Sequence, residues 1–250
     1  TADYVLGQPN FINIYPNAGG ITMSLWGPRG LVFDGSSLLY VADSRNNRVM
    51  VYNVSTIVNG EDAVSVLGQA DLTGQSSGTT NARLSGPFGL AHNVTSGTLY
   101  VGDVTNNRIL IFDVNVIVNG EAAVSVLGQA DFTSGSANQG GSLSSSTLKS
   151  VGGLVYNSAS GTLFAADTNN NRVLVYDVNT IVDGEGAVSV LGQVTLASST
   201  PNYDLGGLSA VSSTFWGPRS LAFNSASNTL YVVDRGNSRV LAFDVATIIN

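Results

Sequence analysis

The 250-residue chain has no cysteine, one histidine (His92), one lysine (Lys149) and two methionines. Without cysteine there is no disulfide framework, no thiolate nucleophile and no cysteine-ligated metal, and cysteine usage says nothing about redox compartment. One histidine rules out a multi-histidine metal centre. Charge is sparse as well: 11% of residues, against about 25% in soluble domains. The 17 acids and 10 bases give a formal charge of −7. A phosphate backbone is gripped by clustered Lys and Arg, so nucleic acid is not an expected partner. No run of about 18 apolar residues is available to cross a bilayer as a helix, and membrane insertion is not expected. The chain starts at Thr1 without a signal-like apolar stretch, as a mature, processed or excised chain would.

What is present is 43% hydrophobic residues, enough for a sizeable core, with 29 glycines and long Ser/Thr/Asn stretches that favour turn-rich β structure. Val-Leu-Gly-Gln occurs at 5–8, 66–69, 126–129 and 190–193, with spacings of 61, 60 and 64. A second marker keeps the same beat. An aspartate is followed five residues later by an arginine at Asp43/Arg48, Asp103/Arg108, Asp167/Arg172 and Asp234/Arg239, with Asn-Asn or Asn-Ser before the arginine. Two markers in one phase define four repeats.

Each repeat reads as four short strands, in the first repeat 30–33, 39–42, 48–52 and 63–67, rich in β-branched and aromatic residues and bounded by Gly, Asn, Asp or Ser. Asp43 to Asn47 is a tight polar turn, and Asn59-Gly60 is a strong turn dipeptide. A loop of 16 to 23 residues separates each Val-Leu-Gly-Gln from the next Gly-Pro or its equivalent. Four-stranded antiparallel units repeating in this way predict an all-β propeller of four blades, residues 1–250 forming one domain. The segment Tyr40-Val41-Ala42-Asp43-Ser44-Arg45-Asn46-Asn47-Arg48-Val49 and its three copies resemble the NHL-repeat family of β-propellers. That resemblance covers nearly the whole chain and implies a propeller fold. It implies little about function, since such propellers serve as binding platforms, sensor domains and occasionally enzymes.

The ends bear on closure. Residues 248–250 align with Ile57-Val58-Asn59, just before the Gly-Glu that introduces a fourth strand, while Thr1 to Gln8 aligns with that strand. The expectation is that Asp3, Tyr4, Val5 and Leu6 complete the last blade and leave no unpaired edge. The same strand donated to a neighbouring molecule would build a head-to-tail filament. A third reading makes the chain one stretch of a longer array.

Candidate sites divide into turn chemistry and contact surface. The Asp/Asn/Arg turn carries oxygens that calcium could use, but calcium needs six to eight of them and an arginine in each copy opposes it. A clamp is expected, with the aspartate accepting backbone amides and the arginine pairing with it. Asp113, Asp177 and Asp244, with Asn53 in the same slot, are expected turn caps. Glu61, Glu121 and Glu185 are expected in turns. His92 stands where the other repeats have Phe33, Tyr156 and Phe223, so it reads as a core aromatic rather than a catalytic base. With no Gly-x-Ser-x-Gly elbow and no histidine cluster, neither catalysis nor a cofactor is expected.

The repeats differ at the start of the first strand, which reads Trp26-Gly27-Pro28-Arg29, Ser85-Gly86-Pro87-Phe88, Lys149-Ser150-Val151-Gly152 and Trp216-Gly217-Pro218-Arg219. In a closed ring Trp26, Arg29, Trp216 and Arg219 fall on neighbouring blades, and with Phe88 and Lys149 they form a candidate contact surface for a protein or glycan ligand. Asn53-Val54-Ser55 and Asn93-Val94-Thr95 are glycosylation sequons for a secreted chain, and the Ser/Thr-rich loops at 133–150 and 197–214 could carry O-linked sugars. Together these features point to a non-catalytic extracellular or cell-surface propeller acting as a binding or scaffold module. The alternative is a filament subunit joined through its chain ends, and a propeller lyase or hydrolase comes third.

Overall fold

A computed structural model describes residues 1–202, 212–246 and 248. Four antiparallel sheets follow one another along the chain as the blades of a β-propeller. Blade 1 contains β1 (Pro28–Phe33), β2 (Leu38–Asp43), β3 (Arg48–Asn53) and β4 (Ser65–Leu67). Blade 2 contains β5 (Pro87–Asn93), β6 (Thr98–Asp103), β7 (Arg108–Asp113) and β8 (Ser125–Leu127). Blade 3 contains β9 (Val151–Asn157), β10 (Thr162–Asp167), β11 (Arg172–Asp177) and β12 (Ser189–Leu191). Blade 4 contains β13 (Pro218–Asn224), β14 (Thr229–Asp234) and β15 (Arg239–Asp244). The first strand of each blade starts two residues earlier than the apolar run suggests in repeat one, and the fourth is shortened to three residues.

The repeat motif builds the hairpin between the second and third strands. In blade 1 the strand pairing ends on Asp43 opposite Arg48, and a single 3-10 turn, Ser44–Asn46, delivers the chain to Asn47 at φ 54°. Asparagine tolerates that left-handed conformation better than most residues. Asn107 and Asn171 occupy the same place at φ 51° and 53°, and Ser238 takes it in the last repeat.

These asparagines also tie the blades together. Asn47 Oδ1 accepts from the Gly86 amide at 3.0 Å, Asn107 Oδ1 from Ser150 at 2.9 Å, and Asn171 Oδ1 from Gly217 at 2.9 Å. Each bond crosses to the following blade. The apolar faces make the same step. Tyr40, Ala42, Val49 and Val51 of blade 1 pack on Leu90, Leu99, Val101 and Leu110 of blade 2. Tyr100, Ile109 and Ile111 pack on Leu154, Leu163 and Leu174 of blade 3, and Phe164, Val173 and Val175 on Leu230 and Val232 of blade 4. The inner strands pack in the order β1, β5, β9 and β13, and together they line an axial cavity of about 440 Å³.

The last blade departs from expectation. Its sheet has three strands among the described residues, so Thr1 to Gln8 does not complete it. Val5 lies instead on blade 1, its amide donating to Asn59 Oδ1 at 2.9 Å and its carbonyl accepting from Gly60 at 3.3 Å. The same latch holds β4 to blade 2, where the Val66 amide donates to Asn119 Oδ1 at 3.0 Å, and β8 to blade 3, where the Val126 amide donates to Asp183 Oδ1 at 3.1 Å. A fourth strand therefore has two attachments, its own sheet and the next blade. The amino-terminal strand uses the second, with Asp3 and Tyr4 exposed, Val5 and Leu6 half-buried, and Leu6 against the Met50 and Tyr52 cluster. Among the described residues β13 does not pack on β1 as the other inner strands pack on one another, and the outward face of blade 4 is open, with Tyr231 and Val240 39% and 60% exposed. The alignment of 249 and 250 with the latch sequence, and 203–211 of the Ser/Thr-rich loop, lie outside the described residues.

Candidate functional site

Four of the ten basic residues are consumed by the repeat motif. Arg48, Arg108, Arg172 and Arg239 donate from Nε to Asp43, Asp103, Asp167 and Asp234 at 2.7 to 2.8 Å. The first three pairs are wholly buried, with side chains 0% exposed. Arg108 also donates to the carbonyls of Phe132, Thr80 and Arg83 at 2.5, 2.9 and 2.9 Å, tying the long loops to the hairpin. Burial pushes the Asp103 carboxyl up, while Arg108, Asn106 and the Ser85 amide pull it down. Burial is the stronger influence, so the carboxyl stays above its ordinary value, and its two oxygens accept from Ser85, Asn106 and Arg108 in the expected clamp.

The remaining six cations are Arg29, Arg45, Arg83, Lys149, Arg219 and Arg235. Apart from Arg83, which donates to Gln69 Oε1 at 2.8 Å, they lie at the starts of first strands or in the hairpins after second strands, at one end of the propeller. The loops at the other end contain no Lys or Arg. They hold Asp34, Asp113, Asp177 and Asp244 with Glu61, Glu121 and Glu185. Asp113, Asp177 and Asp244 cap turns by accepting from Asn115, Asn179 and Ala246, and Asn53 accepts from Ser55 in the same manner. Although the long loops place Asp71 and Asp131 at the first end too, cations outside the clamps outnumber them there among the described residues, while the other end has only carboxylates, which gives the molecule a cationic end, an acidic end and a field with direction.

At the cationic end two guanidinium groups converge on Phe88. The Arg29 guanidinium lies 5.3 Å and that of Arg219 4.9 Å from its ring centroid, distances at which a cation is attracted to a ring face. These arginines come from blades 1 and 4 and meet over blade 2. Burial, then Arg235 and Arg29, hold the Arg219 guanidinium below its usual range, and no carboxylate forms an ion pair with Arg29, Arg219 or Arg235 among the described residues. Trp26 is exposed with the Arg45 guanidinium 5.8 Å from its ring. Trp216 stands apart from Trp26, in a groove between blades 3 and 4 with Lys149 and Arg235. Of the six candidate contact residues, the fold joins Arg29, Phe88 and Arg219 in one stack and Lys149 with Trp216 in a neighbouring groove. Arg45 and Arg235 were not singled out in the sequence; their place in the hairpin, just after the motif aspartate, is the signal that puts them on this end.

His92 lines the axial cavity. Its ring lies 5.6 Å from that of Tyr40, and neither ring nitrogen has a hydrogen-bond partner. Burial holds its pKa below the usual value, with Asp34 opposing, so the ring is neutral at pH 7. The ring is half-buried and faces the cavity alongside Tyr156 and Phe223, which hold the same position in blades 3 and 4. Of the two sequons, Asn93 spends its side-chain amide on the Tyr156 hydroxyl at 2.9 Å. Among the described residues no three His, Asp or Glu side chains gather at metal-binding distance.

A family model described as the Teneurin NHL domain matches residues 18–244. NHL repeat-containing protein 2 from Bos taurus is 30% identical over 183 residues, and its Homo sapiens counterpart is 29% identical over 182. Each alignment covers 69% of this chain, which spans only 23% of the length of those relatives. Among solved structures, a chain of a nidogen/laminin complex is similar with TM-score 0.54 and 17% identity, covering 87% of this chain and 60% of that one. A chain of Kuenenia stuttgartiensis hydrazine synthase is similar with TM-score 0.55 and 14% identity, over 93% and 50%. At these identities the structures share the fold and nothing finer.

Proposed function

The chain belongs to the NHL-repeat family of β-propellers, and from that membership we propose that it is a non-catalytic scaffold that binds a protein partner through its cationic end, outside the cell or at its surface. The observation that carries this reading is the stack of Arg29 and Arg219 on Phe88 beside the exposed Trp26. Interface hot spots are enriched in Trp, Tyr and Arg, and here Arg29, Phe88 and Arg219 stand on β1, β5 and β13, each packed on a neighbouring inner strand, so little ordering is lost on binding. The uncompensated cations steer an acidic partner toward this end. The neutral-polar loops suit an exposed module. The presence of this fold in a nidogen/laminin complex is in keeping with partner binding.

The reading is tested with a photo-crosslinking amino acid at Arg45, on the cationic end, or at Glu121, on the acidic end, both in extracts of the source tissue and its extracellular fraction. Adducts are expected from position 45 and not from 121, and Phe88→Ala is expected to diminish them at least tenfold. Equal adducts from both ends would discard the cationic end as the binding face.

A second reading, self-association, is favoured by the open apolar face of blade 4, where Tyr231, Val233 and Val240 are exposed. Such a face meeting a different face of a second copy gives a head-to-tail contact, the starting point of a filament. Light scattering on purified protein is expected to show a mass that rises with concentration, and Val240→Glu is expected to hold it at the monomer value. A monomer mass throughout the concentration range would set this reading aside.

A further inference from the structure

We propose that the groove between blades 3 and 4 at the cationic end is a seat for an anionic saccharide. The groove has a volume of about 520 Å³ and is lined by Lys149, Thr168, Asn169, Trp216 and Arg235 among others. Three features of the lining belong together. The first is the indole. Trp216 is 52% exposed, yet its backbone is fixed on both sides, the amide donating to Asp234 Oδ1 at 2.8 Å and the carbonyl accepting from Gly236 at 2.7 Å. An anchored aromatic ring with a free face offers a stacking platform for the C–H face of a sugar.

The second is Thr168, which is 8% exposed and whose Oγ1 has no hydrogen-bond partner. A buried hydroxyl left unpaired is costly, and a ligand hydroxyl entering the groove satisfies it. The third is charge. Lys149 comes from the loop before β9 and Arg235 from the hairpin after β14, and no carboxylate lines the groove between them. A planar guanidinium and a mobile ammonium suit a carboxylate or a sulfate group. An acidic peptide would use both cations and could satisfy the Thr168 hydroxyl but would leave the indole face unanswered, whereas an acidic sugar engages all three features. This site uses residues other than Phe88, Trp26 and Arg29, so it stands or falls independently of the protein-binding reading.

Isothermal titration of the chain with four hexamers tests it: a heparin-derived sulfated oligosaccharide, an oligogalacturonate, maltohexaose and hexaglutamate. At least one anionic sugar is expected to bind with quenching of tryptophan fluorescence, and at least tenfold more tightly than maltohexaose or hexaglutamate. The stronger of the two anionic sugars identifies sulfate or carboxylate as the recognised group. Trp216→Ala is expected to weaken that binding at least tenfold, and Arg45→Gln, on blade 1, to leave it unchanged. Arg235→Gln, an exposed substitution that leaves the fold intact, provides the second variant, with a loss of at least fivefold expected. Hexaglutamate binding as tightly as the sugars, retention of affinity in either groove variant, or no sugar binding at millimolar concentration would overturn the assignment.

Discussion

Arg108→Ala is expected to destabilise the protein by about 3–5 kcal/mol, because removing one partner of a buried ion pair leaves an uncompensated charge in the interior. Asp103 would remain at the blade 2 hairpin with Asn106 and the Ser85 amide as its donors, and burial alone already pushes its carboxyl up. The arginine also holds three loop carbonyls, and these would lose their donors at the same time. The double variant Asp103→Leu/Arg108→Leu should therefore recover only part of the loss: it removes the stranded charge but not the stranded carbonyls. In a chain of this size the single variant should lower the melting temperature by roughly 10 °C. Blade 4 supplies the internal comparison. Arg239 makes the same pair, but its side chain is 24% exposed, so water can solvate part of whatever is left unpaired, and Arg239→Ala should cost less than half as much. Thermal denaturation of the two single variants checks the ranking; equal losses would mean that burial does not set the strength of the clamp.

The clamp was legible in the sequence because its two charged ends lie five residues apart and recur four times. The arginine's other partners were not, since the carbonyls it binds lie 24 to 28 residues away in loops of variable sequence. The strands were legible to within two residues for the same reason as the clamp, repetition. The amino-terminal strand was harder. Alignment names it a fourth strand, but a fourth strand in this fold touches both its own sheet and the following blade, and one sequence does not say which contact forms. Val5 meets Asn59 as Val66 meets Asn119; the Asn59/Asn119/Asp183 series was hidden because Asn-Gly and Asp-Gly read as turn dipeptides, which masks the second use of the side-chain oxygen. The candidate surface was legible as a list of exceptions to the repeat. Its division into a Phe88 stack and a separate Trp216 groove depends on the angle between blades, which no single repeat encodes.

Gly89→Ala is expected to destabilise the protein by about 3 kcal/mol, at the upper end of what overpacking a core typically costs. A Cβ on Gly89 would lie 2.4 Å from the Gly152 carbonyl oxygen and 2.8 Å from the Leu154 amide nitrogen. Both are backbone atoms of β9, so no side chain can swing aside and the two inner strands must part. The repeats put the same demand on the same position. Gly30 faces the Phe88 carbonyl, where a Cβ would come within 2.0 Å, and Gly153 faces β13, with the Leu221 nitrogen at 2.9 Å. The fourth repeat has Ser220 there, and it is exposed. The asparagine that staples each blade to the next is likewise Ser238 in the fourth repeat. Two residues that make close contact with the following blade are therefore replaced in the one blade whose outward face is open, and the Cβ of Ser220 would obstruct a neighbour placed as closely as β5 stands to β1. Ser220→Ala should accordingly change stability by less than about 0.5 kcal/mol, although it occupies the position where alanine is most damaging in the other blades. Urea denaturation of Gly89→Ala and Ser220→Ala measures the contrast. A large loss at Ser220 would mean that its hydroxyl is held by a partner in solution and that this edge is not open, and a negligible loss at Gly89 would mean that the inner strands are not in contact.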